Sequence, residues 1–220
     1  MARYTHKNLF QWSYELAYCV GLITTDGCFS RDQRHIDFTS KDLELVSTYR
    51  DILRPNAKLG IKLNGHGQTA YRIQIGDTGL YDFLLQVGLT PKKSKTLPRL
   101  LVPEQYYADF LRGCFDGDGT IYSYMDNRWR NSLMYYMAFS SASIPFLIWL
   151  RDCNHRLSNL SLGYLKPLSM NSRVAALSYA KKDSRRLYDF MYYSTNLPCL
   201  TRKRDRLEAL FAQEAVTIVK

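Results

Sequence analysis

The strongest constraint on the fold is an internal repeat. Val20-Gly21-Leu22-Ile23-Thr24-Thr25-Asp26-Gly27 and Arg112-Gly113-Cys114-Phe115-Asp116-Gly117-Asp118-Gly119 both read x-Gly-apolar-apolar-x-x-Asp-Gly, 92 residues apart. Phe38-Thr39-Ser40 with Arg50-Asp51 recurs as Phe139-Ser140-Ser141 with Arg151-Asp152. Leu80-Tyr81-Asp82-Phe83 recurs as Leu187-Tyr188-Asp189-Phe190, and Lys92-Lys93 before Leu97 recurs as Arg202-Lys203 before Leu207. The order is preserved and the offset grows slowly to 110, as short loop insertions make it do. The chain therefore reads as a duplicated unit, residues 1–100 and 101–220, each long enough to carry a core.

Each unit spells the same order of elements. A helix ends in the Asp-Gly motif, over Tyr14–Thr25 and over Glu104–Gly117, the second just after Pro103. A hairpin follows, with Ile36 and Phe38 alternating against His35, Asp37 and Thr39 and a turn near Arg31–Gln33. Its counterpart runs Thr120–Met125, turns at Asp126-Asn127 and returns over Leu133–Phe139. Next come helices Lys41–Leu53, with Ser40 as a cap, and Ile144–Leu157. The second hairpin alternates Leu59, Ile61 and Leu63 with Lys58 and Lys62, turns at Asn64-Gly65-His66-Gly67, and returns through Tyr71, Ile73 and Ile75. Its counterpart spans Tyr164–Met170 and Val174–Tyr179. Helices Leu80–Val87 and Leu187–Tyr193 close the units, and a last helix covers about Arg202–Ala215.

The expected fold is α+β: two pseudo-symmetric α-β-β-α-β-β-α units, each a curved antiparallel four-stranded sheet backed by helices. Apolar strand residues should pack on the helices. His35, Asp37, Lys58, Lys62, Arg72 and Gln74 should then face outward on one curved surface.

Composition narrows the function. A net charge of +10 shared equally between the halves points to a polyanionic partner rather than to a basic tail. No apolar run approaches the roughly 20 residues of a membrane span. Tyr14 and Glu15 interrupt any secretory signal, so the expected location is intracellular, with no membrane partner. Five cysteines at irregular spacing and four scattered histidines give neither a disulfide framework nor a zinc site, and the cysteines read as reduced.

The two motifs carry the chemistry. A glycine inside a helix costs about 1 kcal/mol against alanine, and close backbone approach is the usual reason to keep one. If Gly21 and Gly113 let the two helices touch, Asp26 and Asp118 meet at their C-termini. There the carboxylates repel each other and oppose the negative ends of both helix dipoles. A divalent cation relieves this, and two hard oxygen ligands suit Mg²⁺. Beneath a basic surface, such a centre can polarise a phosphodiester and activate water.

Cys19-Val20-Gly21-Leu22-Ile23-Thr24-Thr25-Asp26-Gly27 and Leu111-Arg112-Gly113-Cys114-Phe115-Asp116-Gly117-Asp118-Gly119 resemble the nine-residue motif of the LAGLIDADG homing endonucleases, in their single-chain, two-motif form. The second copy is close. The first departs at Thr24, where the pattern has its earlier Asp, a position that does not bind metal in the family.

The resemblance implies an interface of paired motif helices through Gly21 and Gly113, with Mg²⁺ bound by Asp26 and Asp118 and by the backbone of Thr25 and Gly117. It implies that Mn²⁺ substitutes and that Ca²⁺ supports binding without cleavage. Lys93 and Lys203 stand where the family keeps an assisting basic residue. The implied partner is double-stranded DNA, held by a monomer over a long asymmetric site and cut to short 3′ overhangs. The outward residues matched to DNA contact are Ser30, Arg34, Asp37, Lys58, Lys62, Arg72, Gln74, Tyr122, Tyr124, Arg128, Arg130, Lys166 and Arg173.

Three alternatives stay open. A maturase of the same fold would bind intron RNA. A regulator of the same fold would bind DNA without cutting it, although such proteins tend to lose the metal-binding carboxylates kept here. An unrelated basic structural protein would hold Asp26 and Asp118 far apart. An intron-encoded enzyme would work in a prokaryotic cytoplasm or an organelle matrix.

Overall fold

The duplicated pattern folds into two four-stranded antiparallel sheets of the same strand order. The computed structural model describes residues 10–63, 67–128, 132–166 and 174–218, with side chains to residue 214 in the last segment. In the first unit α1 (Tyr14–Asp26) leads into β1 (Gly27–Phe29) and β2 (His35–Ser40), then α2 (Leu43–Leu53), β3 (Gly60–Leu63), β4 (Thr69–Gly76) and α3 (Thr78–Val87). In the second, α4 (Tyr107–Asp118) leads into β5 (Thr120–Asp126) and β6 (Ser132–Ser141), then α5 (Ile144–Ser158), β7 (Tyr164–Lys166), β8 (Ala175–Ala180) and α6 (Lys181–Met191). The final helix is α7 (Thr201–Ile218). Strand orders are β1-β2-β4-β3 and β5-β6-β8-β7, so the long connection after each first hairpin carries a helix across the sheet.

Local chemistry explains the boundaries. Ser13 caps α1 by accepting from Leu16 N–H at 3.1 Å, and Asp77 caps α3 by accepting from Leu80 N–H at 3.0 Å. Gly88 ends α3 with φ +105°, a left-handed position natural to glycine. Every residue of α1 from Leu16 to Thr24 is buried, because the helix lies between its own sheet and α4. Alternation sets the sheet faces: Ile36, Phe38, Ile73 and Ile75 are buried in the first, and Leu133, Tyr135, Met137, Phe139, Leu177 and Tyr179 in the second.

Four expectations are corrected. Ser40 does not cap α2; its hydroxyl accepts from Asp42 N–H at 3.2 Å and the helix starts at Leu43. The second motif helix begins as a 3₁₀ turn over Glu104–Tyr106 before α4 proper. The last helix of the second unit starts at Lys181, six residues before Leu187. Its charged first turns are the solvent side of an amphipathic helix that buries Ser184, Leu187 and Met191. Ile61 and Leu63 do not pack on helices; they are 73% and 67% exposed, because β3 is an edge strand that the helix layer does not reach. The expected strand to Met170 is seen to Lys166, and its remainder lies outside the described residues. Cys19, Cys114 and Cys153 are buried, Cys199 is half-buried, Cys28 is exposed, and all five are free thiols.

Candidate active site

The helices α1 and α4 meet backbone to backbone. A Cβ on Gly21 would fall 2.2 Å from the Phe110 carbonyl oxygen, and one on Gly113 would fall 2.1 Å from that of Tyr18. Nothing larger than hydrogen fits at either position. Toward the C-termini, Gly117 abuts the first motif: its Cβ would lie 2.0 Å from Thr25 Oγ1 and 2.8 Å from Asp26 Oδ2. Asp26 and Asp118, the last residues of their helices, therefore share one cramped space.

The electrostatics follow. Burial first, and the Asp118 charge second, push the Asp26 carboxyl from 3.8 up to about 6, against the Thr25 hydroxyl that donates to it at 3.2 Å. Asp118, whose side chain stays open to solvent on one side, is also raised, by the desolvation that the surrounding helix ends impose, against the pull of Lys203 and Lys93.

Two buried lysines flank the carboxylates. Lys93 donates to the Gly27 carbonyl oxygen. Lys203 donates to the carbonyls of Phe115 at 2.6 Å, Asp116 at 2.8 Å, Gly119 at 2.7 Å and Gly117 at 3.2 Å. Each ammonium thus sits on the negative end of its own motif helix and bonds the carbonyl of the motif's closing glycine. Burial lowers both lysines to about 8, while neighbouring acidic groups pull the other way: Asp26 and Asp118 at both lysines, and Asp116 most strongly at Lys203.

The donor set suits a hard divalent cation. Two carboxylates and the carbonyls at two helix ends present only oxygen, the Gly117 carbonyl being shared with Lys203 at 3.2 Å. Among the described residues no group of three or more His, Cys, Asp or Glu side chains gathers for a metal, so any cation here relies on the carboxylate pair and backbone oxygen.

The residues matched to DNA contact mostly share the sheet faces turned away from the helices. Asp37 accepts from Arg72 Nε at 2.7 Å and from Gln74 Nε2 at 3.3 Å, joining three of them into one cluster. Lys62 stands opposite Ala70 on the same face, and Lys58 keeps its alternation just ahead of β3. Ser30 and Arg34 lie in the β1–β2 turn, where the Arg34 carbonyl accepts from Asp77 N–H at 3.0 Å. Tyr122 and Tyr124 are 40% and 46% exposed on the second sheet. Arg128, at the hairpin tip, grips Asp126 with two nitrogens at 3.0 and 2.7 Å. Lys166 ends β7 opposite Ala176. Arg130 and Arg173 lie outside the described residues.

The sequence reading missed a polar network at the helix interface. Arg112, wholly buried, donates to Asp109 at 2.7 Å, to the Met191 carbonyl at 2.6 Å and to the Pro198 carbonyl at 2.9 Å. Asp116 accepts from the Tyr18 hydroxyl at 2.8 Å and from Leu200 N–H at 2.7 Å, and burial raises it to about 6. Arg202 pairs with Asp42 through two 2.7 Å bonds, and Thr201 bonds Glu44, so the start of α7 is strapped across to α2 of the other unit. The reciprocal strap runs from the Ser143 hydroxyl at the start of α5 to the Leu97 carbonyl at 2.6 Å. The three-residue spacing of Asp109 and Arg112 on the second motif helix was the one sequence signal for a buried pair.

Paired motif helices that end in two carboxylates beneath two antiparallel sheets define the LAGLIDADG fold. Among solved structures, the chain is similar to the LAGLIDADG meganuclease I-AabMI bound to uncleaved DNA, at 17% identity and TM-score 0.62 over 92% of this chain and 91% of that one. It is similar to an I-DmoI variant in complex with its target DNA in the presence of magnesium, at 14% identity and TM-score 0.53 over 83% and 97%. It is also similar to full-length DUF199/WhiA from Thermatoga maritima, at 15% identity and TM-score 0.56; it covers 92% of this chain but spans only 62% of that longer one. No curated protein sequence matches the chain. More particularly, residues 13–88 match the family model described as a LAGLIDADG-like domain.

Proposed function

We propose that the chain is a metal-dependent, site-specific DNA endonuclease that makes a double-strand break with short 3′ overhangs at a long asymmetric target. The observation that carries this is the pair Asp26 and Asp118, crowded together at two helix ends with both carboxyls held above their usual range. Holding two carboxylates so close costs stability, and a divalent cation would neutralise them.

In this reading Asp26 and Asp118, with the carbonyls of Thr25 and Gly117, hold Mg²⁺, and Mn²⁺ substitutes. Bound there, the cation would supply charge neutralisation at the scissile phosphate and a water of lowered pKa. The chain's own residues do the rest. Gly21 and Gly113 set the spacing of the carboxylates. Lys93 and Lys203 fix the helix ends and add positive charge beside the phosphate. The outer faces of the sheets hold the duplex, steered by the net charge of +10. Units 1–100 and 101–220 each cover one half of the target, and the protein acts as a monomer inside a prokaryotic cell or an organelle.

The test is cleavage of a randomised duplex library in Mg²⁺, with Asp26→Asn and Asp118→Asn in parallel and Ca²⁺ for binding alone. Cuts at one long site, lost in either variant while binding in Ca²⁺ persists, support the reading. Tight site-specific binding without cleavage in any metal moves the assignment to the second reading, a non-cleaving DNA-binding protein of the same fold. Intron RNA is the next ligand to try in that case.

A further inference from the structure

The two reading faces occupy equivalent positions and are chemically unlike. Phe38 pairs with Ile73 in the first sheet as Phe139 pairs with Leu177 in the second, which fixes the correspondence residue by residue. Asp37, Arg72 and Gln74 then map onto Ala138, Ala176 and Ser178. The hydrogen-bonding cluster at the centre of the first face becomes two methyl groups and a hydroxyl at the centre of the second.

Beside those small residues stands a ridge of three tyrosines. Tyr122 and Tyr136 stack at 4.8 Å with 7° between their planes, and Tyr124 and Tyr136 lie 6.1 Å apart at 11°. The hydroxyls of Tyr124 and Tyr136 are 3.3 Å apart. Parallel self-stacked rings are rigid and lose little entropy on binding. Lys166 is the one cation on the outward positions of the four second-sheet strands among the described residues, whereas the first face holds Arg72 and Lys62.

Base readout sorts along these lines. Arginine and lysine bond guanine, glutamine bonds adenine, and aspartate accepts from cytosine, whereas alanine and other apolar groups contact the C5-methyl of thymine. We propose that the halves of the target are read by different chemistry. The first unit uses charged hydrogen bonds. The second selects an A·T-rich half-site through thymine methyls seated against the Tyr122–Tyr136–Tyr124 ridge and its alanine floor. This rests on the DNA-binding reading above and adds the composition of one half-site.

The experiment begins with a target selected from the randomised library in Ca²⁺. Arg72→Ala identifies the half under the first unit, where base preference relaxes. Deoxyuridine then replaces thymidine in each half separately, removing only the methyl groups. The expected result is at least tenfold weaker binding when the second half is substituted and less than twofold when the first is. Tyr122→Ser, at an exposed position that leaves the core intact, should abolish the difference. Unchanged binding on uracil substitution of the second half, equal losses in both halves, or a second half without thymine enrichment would overturn the proposal while site selection itself upholds DNA recognition. Failure to select any duplex overturns the DNA-binding reading, and this proposal with it.

Discussion

Replacing Asp26 with asparagine should make the metal-free protein more stable while destroying its activity. The carboxyl rises from 3.8 to about 6 because the fold buries it and sets Asp118 beside it. A carboxyl whose folded pKa lies above its unfolded value costs stability as pH rises from about 4 to about 6, and the cost is complete above that range. A shift of this size corresponds to about 3 kcal/mol, reduced to about 2 by the solvent that the carboxyl still meets. Asparagine keeps an oxygen for the Thr25 hydroxyl and removes the charge. Urea unfolding in EDTA should therefore show Asp26→Asn more stable than the wild type by about 2 kcal/mol at pH 7.5, with the gap closing toward pH 4. Added Mg²⁺ should stabilise the wild type and leave the variant nearly unmoved. A variant equal to or weaker than the wild type at pH 7.5 would refute the crowded-carboxylate argument.

Other perturbations test other contacts. Gly21→Ala forces a Cβ to within 2.2 Å of the Phe110 carbonyl oxygen and should destabilise the fold by about 3 kcal/mol or more in the same unfolding assay. Arg112→Met strands the buried Asp109 carboxylate and should cost about 3–5 kcal/mol. Tyr49→Phe removes a buried hydroxyl with no hydrogen-bond partner among the described residues and should stabilise by about 1 kcal/mol. Lys203→Met withdraws a charge that favours both carboxylates, so the pH at which cleavage sets in should move upward; an unshifted profile would show that Lys203 acts elsewhere.

Much of the architecture was legible because its determinants are local. Helix-interrupting glycines, the Asp-Gly ends and the period-2 strands announce themselves within a few residues, and the repeat confirmed each reading in a second place. The boundary of α6 was missed because Lys181 to Arg186 looks like a loop until Ser184 is seen beneath β6, where its hydroxyl accepts from Met137 N–H at 3.0 Å. The exposure of Ile61 and Leu63 depends on how far the helix layer extends, which no strand pattern records. At the site, the two carboxylates were legible from spacing. The carbonyl partners of Lys203 were not, because they lie more than 80 residues away along the chain.

The polar network at the helix interface has a consequence for ancestry. A duplicated unit begins as two interchangeable copies, and these are interchangeable no longer. Asp116 depends on the hydroxyl of Tyr18, and the second motif has Phe110 where the first has Tyr18. A protein built from two second halves would bury two carboxylates without that donor. One built from two first halves would have Thr24 in place of Asp116, and each buried Tyr18 hydroxyl would lose its carboxylate acceptor. The two halves have become complementary rather than equivalent, each supplying one side of a buried contact that its own copy could not complete.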